Sequence, residues 1–222
     1  MKTFTQYDLR EMALRLAHEI RNPLATIKSG IQLVQHLLPP DAEVEEYLQA
    51  ALVEVERINR TVADMQRVIR LDSVTARAVP IAGVVEEAFS RCTEAARSSD
   101  ISIGCEGDPS ARVLADPDQV IEAISELVGN AVEFSPTGSR VVVRWNVEAE
   151  HMIRIDISDS CGGIPAPVAE RILHPFFSTS TRGTGLGINI VQRICELGGG
   201  RLEWKNQADG SGCCFSIIMP GA

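Results

Sequence analysis

Leu16-Ala17-His18-Glu19-Ile20-Arg21-Asn22-Pro23-Leu24 sets a polar patch with a single imidazole into a run otherwise spaced for packing. Outward from it, Leu9, Ala13, Leu16, Ile20, Leu24, Ile27, Ile31, Val34 and Leu38 step by threes and fours, one apolar stripe on a long helix. Pro39-Pro40-Asp41 breaks that helix. Val44, Leu48, Ala51, Val55, Ile58, Val62, Met65 and Ile69 repeat the pattern at nearly heptad spacing, so a second helix runs back antiparallel to the first. Two helices cannot bury such faces alone, and a homodimeric four-helix bundle is the natural solution.

After Leu71 the pattern changes. Val79–Ala96 reads as a helix, Ile101–Cys105 and Arg112–Leu114 as short strands, and Asp118–Phe134 as a helix opened by Pro117 and Asp118. Val141–Val147 and Met152–Ser158 alternate as strands; Gly-rich loops, a helix at about 186–198 and strands near 201–205 and 213–219 follow. Helices mixed with antiparallel strands predict an α+β chain. A helical hairpin over 1–72 leads through a linker at 73–78 into a two-layer α/β sandwich over 79–222.

With 222 residues, 45% hydrophobic and 23% charged, the chain has the composition of a globular protein able to bury a sizeable core. A net charge of −9 argues against nucleic acid as a partner, because phosphate backbones need clustered Lys and Arg. No stretch reaches the roughly 18 apolar residues of a membrane span, and the first residues lack the apolar core of a signal peptide. The chain as given reads as cytoplasmic. Its six cysteines form no Cys-x-x-Cys pair, which argues against a zinc site and for buried, reduced thiols.

His18 lies two residues from both Leu16 and Ile20, roughly 200° around the helix from each, so it points away from the bundle core. Neutral imidazole accepts a phosphoryl group well near pH 7, since one nitrogen attacks while the other holds a proton that a base removes. Glu19 is placed to be that base, and Asn22 follows one turn later on the same face. Pro23 removes the amide that would bond to the carbonyl of residue 19 and loosens the turn. A solvated helix face with a chance proline is the plain alternative.

His18-Glu19-Ile20-Arg21-Asn22-Pro23-Leu24 resembles the H box of sensor histidine kinases of two-component systems. The resemblance implies that His18 is the phosphoacceptor, that the hairpin is the dimerisation and phosphotransfer domain, that Glu19 assists autokinase chemistry, and that Asn22 supports dephosphorylation of a partner response regulator. Further motifs follow in order. Glu126-Leu127-Val128-Gly129-Asn130-Ala131 resembles the N box, where Asn130 would hold the Mg²⁺ bridging the phosphates of ATP, with Glu126 as a second candidate ligand or a base. Asp159-Ser160-Cys161-Gly162-Gly163-Ile164 resembles the G1 box, in which Asp159 would accept the adenine amino proton and the backbone of Gly163 and Ile164 would approach the ring. Pro175-Phe176-Phe177 resembles the F box. Gly183-Thr184-Gly185-Leu186-Gly187 resembles the G2 box, whose amides lead into a helix and would face the phosphates, with Arg182 as the nearby cation. Only residues 178–182 separate Phe177 from Gly183, so the ATP lid is short.

Four positions depart from the family pattern. Cys161 stands where glycine is usual, Glu126 where asparagine is common, Glu133 where a basic residue often contacts phosphate, and Ser180 where lysine is frequent. Taken together, the resemblance implies a sandwich of the GHKL ATPase type and an ATP- and Mg²⁺-dependent kinase that phosphorylates His18 and passes the group to a response regulator receiver domain. Two rivals remain at this level: a docking scaffold or phosphatase that has lost ATP turnover, and a GHKL ATPase or serine kinase outside phosphorelay.

Overall fold

The computed structural model describes residues 6–37, 42–71, 74–180 and 183–222. Compactness divides the chain into two bodies, Met1–Leu71 with Pro175–Leu186, and Asp72–His174 with Gly187–Ala222.

In the first body, α1 (Gln6–Leu37) and α2 (Ala42–Arg70) pack antiparallel. Three cross-helix pairs fix the register: Arg21 with Gln66, Lys28 with Glu56, and Gln35 with Glu45. The predicted break at Pro39-Pro40-Asp41 lies outside the described residues. α1 continues through Pro23 without interruption. The apolar stripe, expected to face one core, divides in two. Leu24 is buried, as is Ala17 beside the stripe, together with Val55 and Val62 of α2. Leu16, Ile20, Ile27 and Val34 stay 39–50% exposed within the single chain.

The second body has a short strand β1 (Arg77–Pro80), which takes up the end of the expected linker and the first two residues of the expected helix. α3 (Ile81–Ser98), β2 (Ser102–Gly107), β3 (Arg112–Ala115), α4 (Pro117–Phe134), β4 (Arg140–Val147) and β5 (Met152–Ser158) follow. After them come α5 (Ala166–Ala169), α6 (Gly187–Leu197), β6 (Arg201–Asn206) and β7 (Cys213–Pro220). β1 pairs with β3 apart from the main sheet, whose order is β2-β4-β5-β7-β6. One correction to the sequence reading is the β2–β4 pair, which is parallel, so the sheet is mixed; the other pairs are antiparallel. The chain is α+β.

Alternation builds the two layers. Ile153, Ile155 and Ile157 of β5 point into the core beside Val141, Val143 and Trp145 of β4. Opposite them, α4 buries Val120, Ile124, Leu127, Val128 and Ala131. The start of α4 is set by Asp116, whose carboxylate accepts from the amides of Asp118 at 3.1 Å and Gln119 at 3.5 Å. On the other face of β5, Arg154 is held by Asp156, Glu203, Glu148 and the hydroxyl of Ser216. Cys92, Cys195, Cys213 and Cys214 are buried and Cys161 half-buried, but Cys105 on β2 is exposed, unlike the expectation for all six. Among the described residues, no helix is long and apolar enough to cross a membrane.

Candidate functional site

On α1, His18, Glu19 and Asn22 are all exposed. Asn22 lies one helical turn beyond His18, about 6 Å along the axis. Its backbone carbonyl accepts from the hydroxyl of Thr26, one turn on, at 3.3 Å. The imidazole therefore stands at the surface with a carboxylate next to it in sequence and an amide one turn away.

In the same body, the segment Pro175–Leu186 closes on itself. The amide of Phe176 donates to the carbonyl of Gly185 at 3.0 Å. Gly185 has φ +71, and a Cβ there would sit 2.5 Å from the carbonyl carbon of Phe176, so this crossing admits glycine only. Gly183 donates to Ser180 Oγ at 3.1 Å, and Ser180 donates its amide to Ser178 Oγ at 3.1 Å. Ser180, which stands where a lysine is frequent, thus serves the turn. Thr184 Oγ1 donates to Asp64 Oδ2 of α2 at 2.7 Å, and Leu186 is buried. Arg182 lies outside the described residues.

The second body gathers the other candidates. Glu126 and Asn130 sit one turn apart on α4 and face the first residue of α6. A Cβ on Gly187 would lie 2.6 Å from Glu126 Oε2 and 4.0 Å from Asn130 Nδ2, so the two side chains close on bare backbone at a helix start. An amide and a carboxylate at that place form a donor set of hard oxygens, which fits Mg²⁺. An 11-residue helix starts at Gly187, and a helix start favours phosphate. Glu133 is exposed at the far end of α4.

Asp159, just past β5, is 7% exposed. Its Oδ1 accepts from the amides of Cys161 at 3.0 Å and Cys213 at 2.9 Å, and its Oδ2 lies 2.9 Å from Cys213 Sγ. The turn that follows is made by Gly162 and Gly163, at φ +79 and +83, so Cys161 is accommodated without a positive φ of its own. Ser160 donates to Ser135 Oγ at 3.3 Å, tying this loop to the end of α4 and hence toward Asn130. Ile164 is clamped by Asn206, whose side chain accepts from the Ile164 amide at 2.8 Å and donates to its carbonyl at 3.0 Å. Burial pushes the thiols of Cys161 and Cys213 upward, and the hydrogen bond to Asp159 adds to the effect.

Three contributors were not singled out from sequence: Asp64, Asn206 and Cys213. Each acts across a long stretch of chain, Asn206 from 42 residues away and Cys213 from 54. No local spacing reports such partners.

Comparisons with known proteins divide along the same lines. Residues 8–73 match the model of the His Kinase A (phospho-acceptor) domain, and residues 115–222 that of the histidine kinase-, DNA gyrase B- and HSP90-like ATPase. Sensor histidine kinase ZraS of Salmonella typhi is 30% identical over 210 residues, which are 94% of this chain and 45% of that protein. Sensor protein FixL of Bradyrhizobium diazoefficiens is 30% identical over 220 residues, covering 96% of this chain and 43% of that one. Among solved structures, full-length ShkA in complex with AMPPNP superposes with a TM-score of 0.75 at 25% identity, over 96% of this chain and 46% of that one. Histidine kinase ThkA in complex with response regulator protein TrrA shares the fold, with a TM-score of 0.69 at 24% identity, over 96% of this chain and 61% of that one. The chain spans about half the length of the curated relatives it matches.

Proposed function

We infer that the chain belongs to the sensor histidine kinases and is an ATP-dependent kinase that phosphorylates its own His18 and hands the phosphoryl group to an aspartate of a response regulator. The observation that carries this reading is the exposed His18 on a His Kinase A hairpin, in a chain whose ATPase-like body sets Glu126 and Asn130 against the start of α6.

In the proposed reaction one imidazole nitrogen of His18 attacks the γ-phosphorus of ATP. The P–N bond forms as the bond to the leaving ADP oxygen breaks, and Glu19 takes the proton from the other nitrogen. Asp159 accepts the adenine amino proton, the backbone at Gly163 and Ile164 lies along the ring, and Gly183–Gly187 offers amides to the phosphates. Asn130, with Glu126, holds Mg²⁺, which supplies neutralisation of the phosphate charge. Catalysis then rests chiefly on positioning and charge. His18 passes its phosphoryl group to the regulator's carboxylate, and Asn22 orients water when that regulator is dephosphorylated.

The exposed stripe Leu16, Ile20, Ile27 and Val34 is the surface on which a second copy completes a four-helix bundle. Incubation with γ-labelled ATP gives acid-labile, alkali-stable phosphate on the chain, and His18→Gln abolishes it. Undiminished labelling of that variant would overturn the assignment.

A further inference from the structure

Asp159, Cys161 and Cys213 bring three metal-ligating atoms within 4.8 Å of one another, the one such cluster among the described residues. Two of the donors are thiols, the ligands that select zinc and its thiophilic neighbours over Mg²⁺ or Ca²⁺. We propose that these three side chains form a site for a thiophilic divalent ion of the zinc class, with three protein ligands and an open fourth position, and that its occupancy excludes nucleotide. The exclusion rests on the reading of Asp159 as the adenine acceptor.

The geometry supports a site rather than a chance meeting. Asp159 Oδ1 is held by two backbone amides, which fixes the carboxylate and turns Oδ2 toward Cys213 Sγ at 2.9 Å. This is the ordering of a ligand by its surroundings that metal centres use. Tetrahedral zinc spaces thiolate and carboxylate ligand atoms by roughly 3.5 to 3.8 Å, so small side-chain adjustments close the set. The backbone is already tied: Asp159 donates its amide to the Cys213 carbonyl at 3.1 Å, and Gly162 donates to the Ser211 carbonyl at 3.1 Å. Gln207 Nε2 bonds to the Asp159 carbonyl at 2.8 Å. Cys213 is buried and Cys161 half-buried, so the open position lies on the Cys161 side.

Binding displaces one proton from each thiol into the buffer, leaving two thiolates and one carboxylate on the ion. Both thiols are protonated at rest, and affinity therefore rises with pH. With Oδ1 held by two amides, Oδ2 is the oxygen that the adenine amino group would use, and an ion bound there competes for it.

Cobalt(II) tests this directly. The reduced full chain, kept in reductant and excess Mg²⁺ to fill oxygen sites, is titrated with Co²⁺ and read by absorption. A thiolate-to-cobalt charge-transfer band saturating at one equivalent is expected, with tetrahedral ligand-field bands. Cys161→Ser and Cys213→Ser each lower the charge-transfer intensity and weaken affinity at least tenfold, whereas Cys105→Ser changes neither. No band, or a band unchanged in Cys161→Ser, overturns the site. In parallel, a fluorescent ATP analogue bound to the metal-free chain is displaced as the band grows; an analogue that stays bound beside a full band overturns the exclusion. If the metal-free chain binds no analogue, the adenine reading of Asp159 fails, and the spectrum still decides the metal site by itself.

Discussion

The two bodies of this chain treat apolar residues in opposite ways. In the sheet-and-helix body, Val143, Ile155, Ile190 and Ile217 are each at most 1% exposed. In the hairpin, Ile20 and Ile27 remain 40% and 50% exposed although they occupy regular helical spacing. One body holds a complete core; the other holds half of one. A complete core confers stability that is independent of concentration, while half a core ties stability to the supply of a second copy.

The severest way to break this contrast is Ile20→Asp with Ile27→Asp. Lost burial plus two desolvated carboxylates should weaken self-association by roughly 5 kcal/mol, three to four powers of ten in Kd, as read by analytical ultracentrifugation. The melting of the sheet body should be unmoved, and a variant that stays dimeric throughout would show that this stripe is not the surface between the two copies. Next in size, Ile190→Ala in α6 should cost the sheet body about 3 kcal/mol by cavity formation, equally at all protein concentrations. Denaturant unfolding at two concentrations a hundredfold apart checks it, and a concentration-dependent loss would mean that this core too is shared. The smallest test sharpens the comparison locally: Asp116→Ala removes the cap of α4 and should cost about 1 kcal/mol in the sheet body, leaving self-association unchanged.

Much of this was legible in the sequence, for reasons that also set its limit. Pro117 and Asp118 mark the start of α4 because capping chemistry is local, and the heptad-like spacing of α2 marks a helix because its period is local. The division of the α1 stripe was not legible. Leu24 and Ile20 belong to one run of threes and fours, and spacing alone does not say which of them α2 covers. Nor does strand alternation encode direction, so β2, whose pattern matches any short strand, gave no sign of pairing parallel to β4. β1 is too short for its alternation to register against the helix that follows. At the candidate site the motifs stood in sequence order, but Asn206 and Cys213 reach Ile164 and Asp159 through the sheet. The cysteine spacing that argued against zinc was silent about a cluster that brings the loop after β5 to the start of β7.

The sheet order has a consequence for how the chain comes off the ribosome. β7 lies between β5 and β6, pairing Met152 with Pro220 and Arg201 with Ile218, so a strand interior to the sheet is made after all the others. The helices of the hairpin meet through contacts close in sequence and can form while synthesis continues. The sheet body must wait with β5 and β6 unjoined until residue 220 has emerged, and for that interval their unpaired edges are open to a chaperone or to a neighbouring nascent chain.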